Sequence, residues 1–277
     1  MPLLLPKQRG TRREANFSGQ PATSWGTVLT SAATAHNYPA TFTELIASTA
    51  FSTDWVNILF HSNFATATDT DSIVTIYAGA AAAEQILIPD LLAGWANVFD
   101  GQGLNNKTYG FPLRIPASTR LSARHRSVRT STAVTCMIEL LGGGDHWTGS
   151  RVEGVGLGAA GTSSQGTAVT PGTASEGSFT TIGSATVYDW GYAVPMIGGN
   201  VDVTMLSDVI AADLGVGGVA LVGLDEWLFY AYTTETAGPG HGQIGRYTHI
   251  PAGTTLQLRA QALTSAEAKD FGIYGVA

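Results

Sequence analysis

Ten residues, Ile115-Pro116-Ala117-Ser118-Thr119-Arg120-Leu121-Ser122-Ala123-Arg124, come back 135 residues later as Ile250-Pro251-Ala252-Gly253-Thr254-Thr255-Leu256-Gln257-Leu258-Arg259. Proline fixes φ and offers no backbone donor, so each Pro-Ala-(Ser/Gly)-Thr reads as a tight exit from one strand into the next. Two further matches stand at the same interval, Asp54-Trp55 with Asp189-Trp190 and Ile138 with Ile273. Three matches in one register predict a tandem duplication of one β-domain.

With 277 residues the chain has room for two domains of ordinary size, each able to bury a core. Charged residues make up only 13% of it, against a usual ~25%, and Thr, Ser, Ala and Gly take their places. A surface so weakly charged suits faces covered by identical or neighbouring subunits, and equally a robust secreted β-protein. The net charge of −7 excludes general nucleic-acid binding, which asks for a basic face. Cys136 is the single cysteine, so no intrachain disulfide forms and a buried thiol is expected. Met1 to Pro6 is too short for a secretory signal, and the apolar stretch from Val209 to Leu224 is broken by Asp213, Gly215, Gly217 and Gly218. No membrane partner is expected.

Residues 1–24 lack a core-forming period and read as an extended basic arm, with Lys7, Arg9, Arg12 and Arg13 as charges and Leu3, Leu4, Leu5 and Phe17 as apolar pegs. Its alternatives are a strap that orders on an acidic neighbour and a frayed terminus. From Trp25 the pattern alternates with period two through Thr27–Thr30, Thr41–Ile46, Trp55–Phe60, Ser72–Tyr77, Gln85–Ile88, Phe111–Ile115, Arg120–Arg126 and Ala133–Leu141. About eight short antiparallel strands fit a jelly-roll-like sandwich over residues 25–143. Residues 144–165 read as a flexible Gly-rich linker containing an exposed His146-Trp147, and residues 166–277 as the second sandwich. There Gly223-Leu224-Asp225 falls at the place of Ile88-Pro89-Asp90. The expected fold is therefore all-β: two tandem jelly-roll-like antiparallel β-sandwich domains behind an extended N-terminal arm.

Reaction chemistry finds little purchase. The six histidines show no metal-ligand spacing, and Asp69-Thr70-Asp71 is followed by Val74 and Ala80 where a calcium loop needs Gly and Glu, so neither metal nor cofactor is expected. No G-x-S-x-G occurs, and Gly154-Val155-Gly156-Leu157-Gly158 lacks the strand-then-helix context of a phosphate loop. Carboxylates such as Asp100, Asp145, Glu153, Asp225 and Glu226 are not paired by any spacing. The chain is expected not to be an enzyme. Trp55 and Trp190 read as core. Trp147 and Trp227, the latter beside Asp225 and Glu226, are candidate glycan contacts, with plugs of sandwich ends or interfaces as the alternative. Arg120, Arg124, Arg126 and Arg129 form a basic group, read either as a charged edge strand or as a patch for a neighbouring copy.

The motifs Glu44-Leu45-Ile46-Ala47-Ser48-Thr49-Ala50-Phe51, Asp54-Trp55-Val56, Glu84-Gln85-Ile86-Leu87-Ile88-Pro89, Phe111-Pro112-Leu113-Arg114-Ile115-Pro116-Ala117 and Leu140-Leu141-Gly142-Gly143 resemble virion structural proteins of tailed bacteriophages, of the minor tail, tail-fibre or head-decoration kind. The resemblance covers most of the first copy and reaches the second through Asp189-Trp190 and Ile250-Pro251-Ala252-Gly253. It implies a virion component that joins copies of itself, a trimer among them, and other virion proteins, docking through its N-terminal arm. The alternative it leaves is an adhesin that binds a host surface glycan.

Overall fold

The structure is a computed structural model and describes residues 12–17, 26–61, 72–94, 107–144, 146–157, 166–198, 208–232, 236–237, 245–264 and 266–277. These residues hold strands and turns and no helix. The first half carries β1 (Arg12–Ala15), β2 (Thr27–Thr30), β3 (Thr43–Ile46), β4 (Trp55–His61), β5 (Ser72–Ala78), β6 (Gln85–Gly94), β7 (Lys107–Phe111), β8 (Leu121–Ser127) and β9 (Ala133–Gly142). The second half carries β10 (Val152–Val155), β11 (Thr167–Val169), β12 (Thr180–Thr181), β13 (Trp190–Gly198), β14 (Asp208–Val216), β15 (Val219–Ala220), β16 (Trp227–Tyr232), β17 (Thr236–Ala237), β18 (Arg246–Ile250), β19 (Gln257–Ala262) and β20 (Lys269–Val276).

Alternation drives the packing. In β4, Val56, Ile58 and Phe60 point into the sandwich while Trp55, Asn57, Leu59 and His61 stay half-buried on the outside. One sheet of the first half runs β9-β4-β7, with β1 and β2 end to end along the free edge of β9, and the other runs β3-β8-β5-β6. The second half repeats both orders as β20-β13-β18, with β10 and β11 along β20, and β12-β19-β14-β16. The short β15 and β17 are additions to the latter sheet. All named pairings are antiparallel, and successive strands cross between facing sheets, which is jelly-roll connectivity made twice.

The repeated Ile-Pro-Ala turn is where the two halves match most closely. In the first half the Thr49 hydroxyl donates to the Pro116 carbonyl at 2.7 Å and accepts from the Thr119 amide at 3.0 Å. In the second half Thr186 does the same to Pro251 and Thr254 at 2.9 and 3.1 Å. Two backbone bonds accompany each, Ser118 and Gly253 donating to the carbonyls of Thr49 and Thr186, and those two threonine amides donating to Thr119 and Thr254. Both turns place positive φ at the same position, 63° at Ser118 and 80° at Gly253, which is why glycine serves in one copy.

Thr49 and Thr186 are separated by 137 residues, and the structure corrects one of the sequence anchors accordingly. Ser52 and Asp189 both accept from the alanine amide of the turn, Ala117 and Ala252, so Asp189 stands at the place of Ser52 and Tyr192 at the place of Trp55. Trp190 points into the second core, whereas Trp55 lies on the outer face. Asp90 and Glu226 share a positive φ, 42° and 52°, and each amide donates to the side chain of the neighbouring strand, Thr75 or Asp213. The segment matching Ile88-Pro89-Asp90 is therefore Leu224-Asp225-Glu226, one residue beyond the sequence alignment.

Two boundaries move as well. Arg12 to Ala15 belongs to the first sheet as β1, not to an arm that precedes the domain, because β9 offers a free edge from Glu139 to Gly142. Val152 to Val155, expected in the linker, is β10 of the second sheet in the matching register. Among the described residues of the connector, Gly149 exchanges amide and carbonyl bonds with Arg114 and Pro112, and Ser150 donates to the carbonyl of Ala277. The core of the first sandwich continues into the second through Val152, Tyr192, Val194, Met196, Tyr274 and Val276, the outward residues of the second β20-β13 sheet. That sheet is covered on both faces, and β20 is buried along its whole length.

Candidate functional site

Leu3, Leu4, Leu5, Lys7 and Arg9 of the expected docking arm lie outside the described residues. Arg12, Arg13 and Phe17 do not sit on a free arm: Arg13 pairs with Glu139 of β9 and its guanidinium lies over the Phe17 ring, 5.4 Å from the centroid. Asn16 ties the end of this strand down by donating to the Cys136 carbonyl at 2.9 Å and accepting from the Ile138 amide at 2.9 Å. The charges of β1 therefore present themselves at the rim of a formed sheet.

The basic group on β8 is corrected in the same way. β8 lies between β3 and β5, so it is an interior strand and its arginines are paired within the chain. Arg120 bridges Glu44 and Glu84 at 2.8 Å each, and Arg126 meets Asp90 at 3.1 Å. Arg124 is enclosed by Tyr38, Phe42 and Tyr77, with the Phe42 centroid 4.6 Å away. Its counterpart Arg259 lies 4.7 Å over Phe179 and bonds Asp213, so the stacked arginine is a feature of both copies. Arg129 follows β8 in the turn before β9. A patch waiting for acidic groups on a neighbour is not what Arg120, Arg124 and Arg126 form.

The tryptophans separate. Trp227 points inward from β16 and joins the second core, with Arg246 stacked over it at 5.6 Å, so it cannot stack on a sugar. Trp147 stays 44% exposed beside Tyr247, itself 47% exposed, with centroids 6.5 Å apart. It lies against Gly191, where a Cβ would overlap its ring. Edge-to-face contacts continue from Tyr247 through Tyr192 and Trp55 to His146, which lines the junction of the sandwiches with aromatic rings.

Two surfaces that the sequence did not single out stand apart. On the outer face of the first β9-β4 sheet, Phe17, Asn57, Leu59, His61, Met137 and Glu139 line a groove of about 690 Å³. Burial pushes the Glu139 carboxyl up, but hydrogen bonds from Arg13 and Asn57 outweigh it and hold the group below the ordinary range. On the second sandwich, Leu228 of β16 is 72% exposed, Val209 lies diagonal to it on β14, and Leu263 donates to the Val209 carbonyl. Val222, in the turn before β16, is 99% exposed. The signal for Leu228 was alternation: once Trp227 and Phe229 are assigned inward, Leu228 must face out.

Buried polar groups are structural in their settings. His125 sits between the Leu29 carbonyl at 3.1 Å and the Ser72 hydroxyl at 3.0 Å, and burial brings its pKa down to about 4. Burial pushes the Cys136 thiol up, keeping it protonated, and raises Asp270 to about 6. Among the described residues no three His, Cys, Asp or Glu side chains converge as metal ligands, and no helix is long and apolar enough to cross a membrane.

No family model matches the sequence, and no curated protein matches it. Among solved structures the chain is similar to a peptide-N(4)-(N-acetyl-β-D-glucosaminyl) asparagine amidase, at 7% identity and a TM-score of 0.31 over 90% of this chain and 96% of that one. It is similar to recombinant peptide:N-glycanase F at 8% identity and 0.33, covering 91% and 95%. It is also similar to STIV MCP, a viral major capsid protein, at 8% identity and 0.31, covering 90% and 96%. These are likenesses of fold. Two of the three carry enzyme names, so the expectation that this chain is not an enzyme does not stand.

Proposed function

We propose that the chain is a structural subunit of a virus particle, of the tailed-phage kind to which its motifs are similar, located in the virion at the head surface or peripheral tail. The observation that carries this reading is the outward apolar surface of the second sandwich around Leu228, Val209 and Leu263. A well-packed chain leaves such a cluster in water only when something covers it in the working state. The stiff join between sandwiches suits a load-sharing block, and many modest contacts multiplied over several subunits supply the affinity. Residues 1–11 are the proposed docking segment, through Leu3, Leu4, Leu5, Lys7 and Arg9, next to the charged rim of β1. Mass spectrometry and imaging of purified particles test the reading. The chain is expected as a stoichiometric component whose density shows paired jelly rolls, and its absence from particles overturns the proposal.

A second reading is favoured by the exposed Trp147–Tyr247 pair, an aromatic platform of the sort that stacks on sugar rings. It is an adhesin for a host glycan. Binding on a glycan array that disappears in Trp147→Ala supports it; an array with no hits ends it.

A further inference from the structure

The contact between the two sandwiches uses unlike surfaces, and each sandwich carries both. The second sandwich gives the outer face of its β10-β20-β13 sheet, and the first receives it at the opening between β6 and β7. There Tyr274 lies edge-on to Phe111 and Tyr109, with centroids 6.2 and 5.7 Å away, and donates to the Asp90 carbonyl at 2.9 Å. Gly154 of β10 comes up to Pro89 of β6. Among the described residues, the giving face of the first sandwich and the receiving edge of the second meet no second sandwich in this way.

Their residues differ from those of the filled contact in a correlated way. By the register of β9 with β20, Tyr274 corresponds to Glu139. By the pairing of β7 and β18 with β4 and β13, Phe111 corresponds to Arg246. An aromatic pair within the chain thus becomes an acid on one surface, paired in its own copy with Arg13, and a base on the other, paired in its own copy with Asp225. At the second contact Gly154 corresponds to Ala15, two residues after Arg13 on the same strand, and Pro89 corresponds to Asp225. The apolar part agrees too. Leu92, buried to 1% in the first sandwich, corresponds to Leu228, which is 72% exposed in the second.

We propose that a second copy of this chain fills the open edge, repeating head to tail the contact the two sandwiches make with each other. Glu139 of one copy meets Arg246 of the next in exchange for their in-chain partners Arg13 and Asp225, which come to face each other, and Leu228 is covered as Leu92 is. The surfaces are heterologous, so the rotation from copy to copy either closes a ring or grows a filament. The groove beside Glu139 and Leu59 receives the rim of β16. The inference rests on the reading of the chain as a self-associating virion subunit and assigns the surfaces that do it.

The test is mass photometry and multi-angle scattering of the full chain up to about 100 µM, with charge-reversal variants. Wild type forms oligomers. Arg246→Glu and Glu139→Arg each weaken them at least tenfold, and the double variant restores them. Leu228→Lys, a change at an exposed site, abolishes them with circular dichroism and melting unchanged. A chain that stays monomeric, an assembly indifferent to the single reversals, or a double variant no better than either one overturns the assignment. Particles from which the chain is absent, alongside oligomers that obey the charge swap, would remove the virion reading and leave this contact standing. Particles holding the chain as separated monomers would do the reverse.

Discussion

Thr49 and Thr186 each close a turn with one hydroxyl that donates to a carbonyl and accepts from an amide, and both side chains are shielded from water. Replacing Thr49 with valine keeps the branched shape and leaves two backbone groups short of a partner, which costs about 2 kcal/mol. Urea unfolding of Thr49→Val and Thr186→Val checks this, and the smaller loss is expected for Thr186→Val, because the Thr254 hydroxyl also donates to the Pro251 carbonyl at 2.6 Å and keeps it satisfied. A change below about 0.5 kcal/mol in both would show that the turn is held by its backbone bonds alone. His125 sets an acid limit. Its pKa is about 4 in the fold, chiefly through burial and against the raising influence of the Leu29 carbonyl, and ~6.5 in an unfolded chain. Between those values the unfolded state takes a proton that the fold refuses, so this stability is complete above about pH 6.5 and drains away as the pH falls toward 4. Asp270, raised to about 6 by burial, acts with the opposite sign and gains stability on acidification over the same range. The two are separated by comparison: the melting temperature of His125→Gln should fall less than that of wild type between pH 7 and 4, and parallel curves would show that the imidazole does not titrate there.

At the level of strands, β1 shows what a four-residue segment with three charges can hide. Arg12-Arg13-Glu14-Ala15 has no apolar alternation, since one side of it meets solvent and the other only the rim of β9. Its counterpart in the second half is β10, and the shared trace is Arg-x-Glu at Arg12 to Glu14 and Arg151 to Glu153. Glu14 accepts from the Ala50 amide at 2.8 Å, and Glu153 from the Val187 amide at 2.7 Å. Removing residues 1–11 should leave the melting temperature within about a degree, whereas removing residues 1–17 strips β9 of its neighbour and should lower it by about 4 °C or more with aggregation. Calorimetry of the two truncations decides whether β1 belongs to the sandwich. Strands β4, β5, β8 and β9 were legible in the sequence because each buries one face or both and is long enough to show it. The two-residue strands β15 and β17 were not, being too short to carry a period. The Asp-Trp anchor misled for a definite reason: chain register slips by two residues between β13 and the Ile-Pro-Ala turn, so a sequence match put Trp190 at the place of Trp55, whereas the fold puts it at the place of Thr53. The arginines of β8 read as a surface because spacing shows which side chains share a face, and not which aromatic rings and carboxylates arrive from β3, β5 and β6 to meet them.

Across the whole molecule, the decisive feature is that one sheet serves two cores. The β20-β13 sheet turns Trp190, Ala193 and Ile273 to its own sandwich and Tyr192, Val194 and Tyr274 to the other, so neither half can lose its packing without exposing the second. Unfolding should therefore be a single cooperative transition, although each sandwich is large enough to be stable by itself. Tyr274 is the residue on which this coupling turns, since it touches two rings of the first core and bonds both the Asp90 carbonyl and the Met196 sulfur. Tyr274→Phe removes the hydroxyl alone and should cost about 1 kcal/mol with one transition retained. Tyr274→Ala opens a cavity at the junction, costs roughly 3 to 5 kcal/mol, and should split the calorimetric trace into two steps, the first sandwich melting earlier because its β6–β7 opening is no longer sealed. A single undivided transition in Tyr274→Ala would mean that the hydrogen-bonded connector from Gly149 to Arg151, rather than the aromatic contact, locks the halves together.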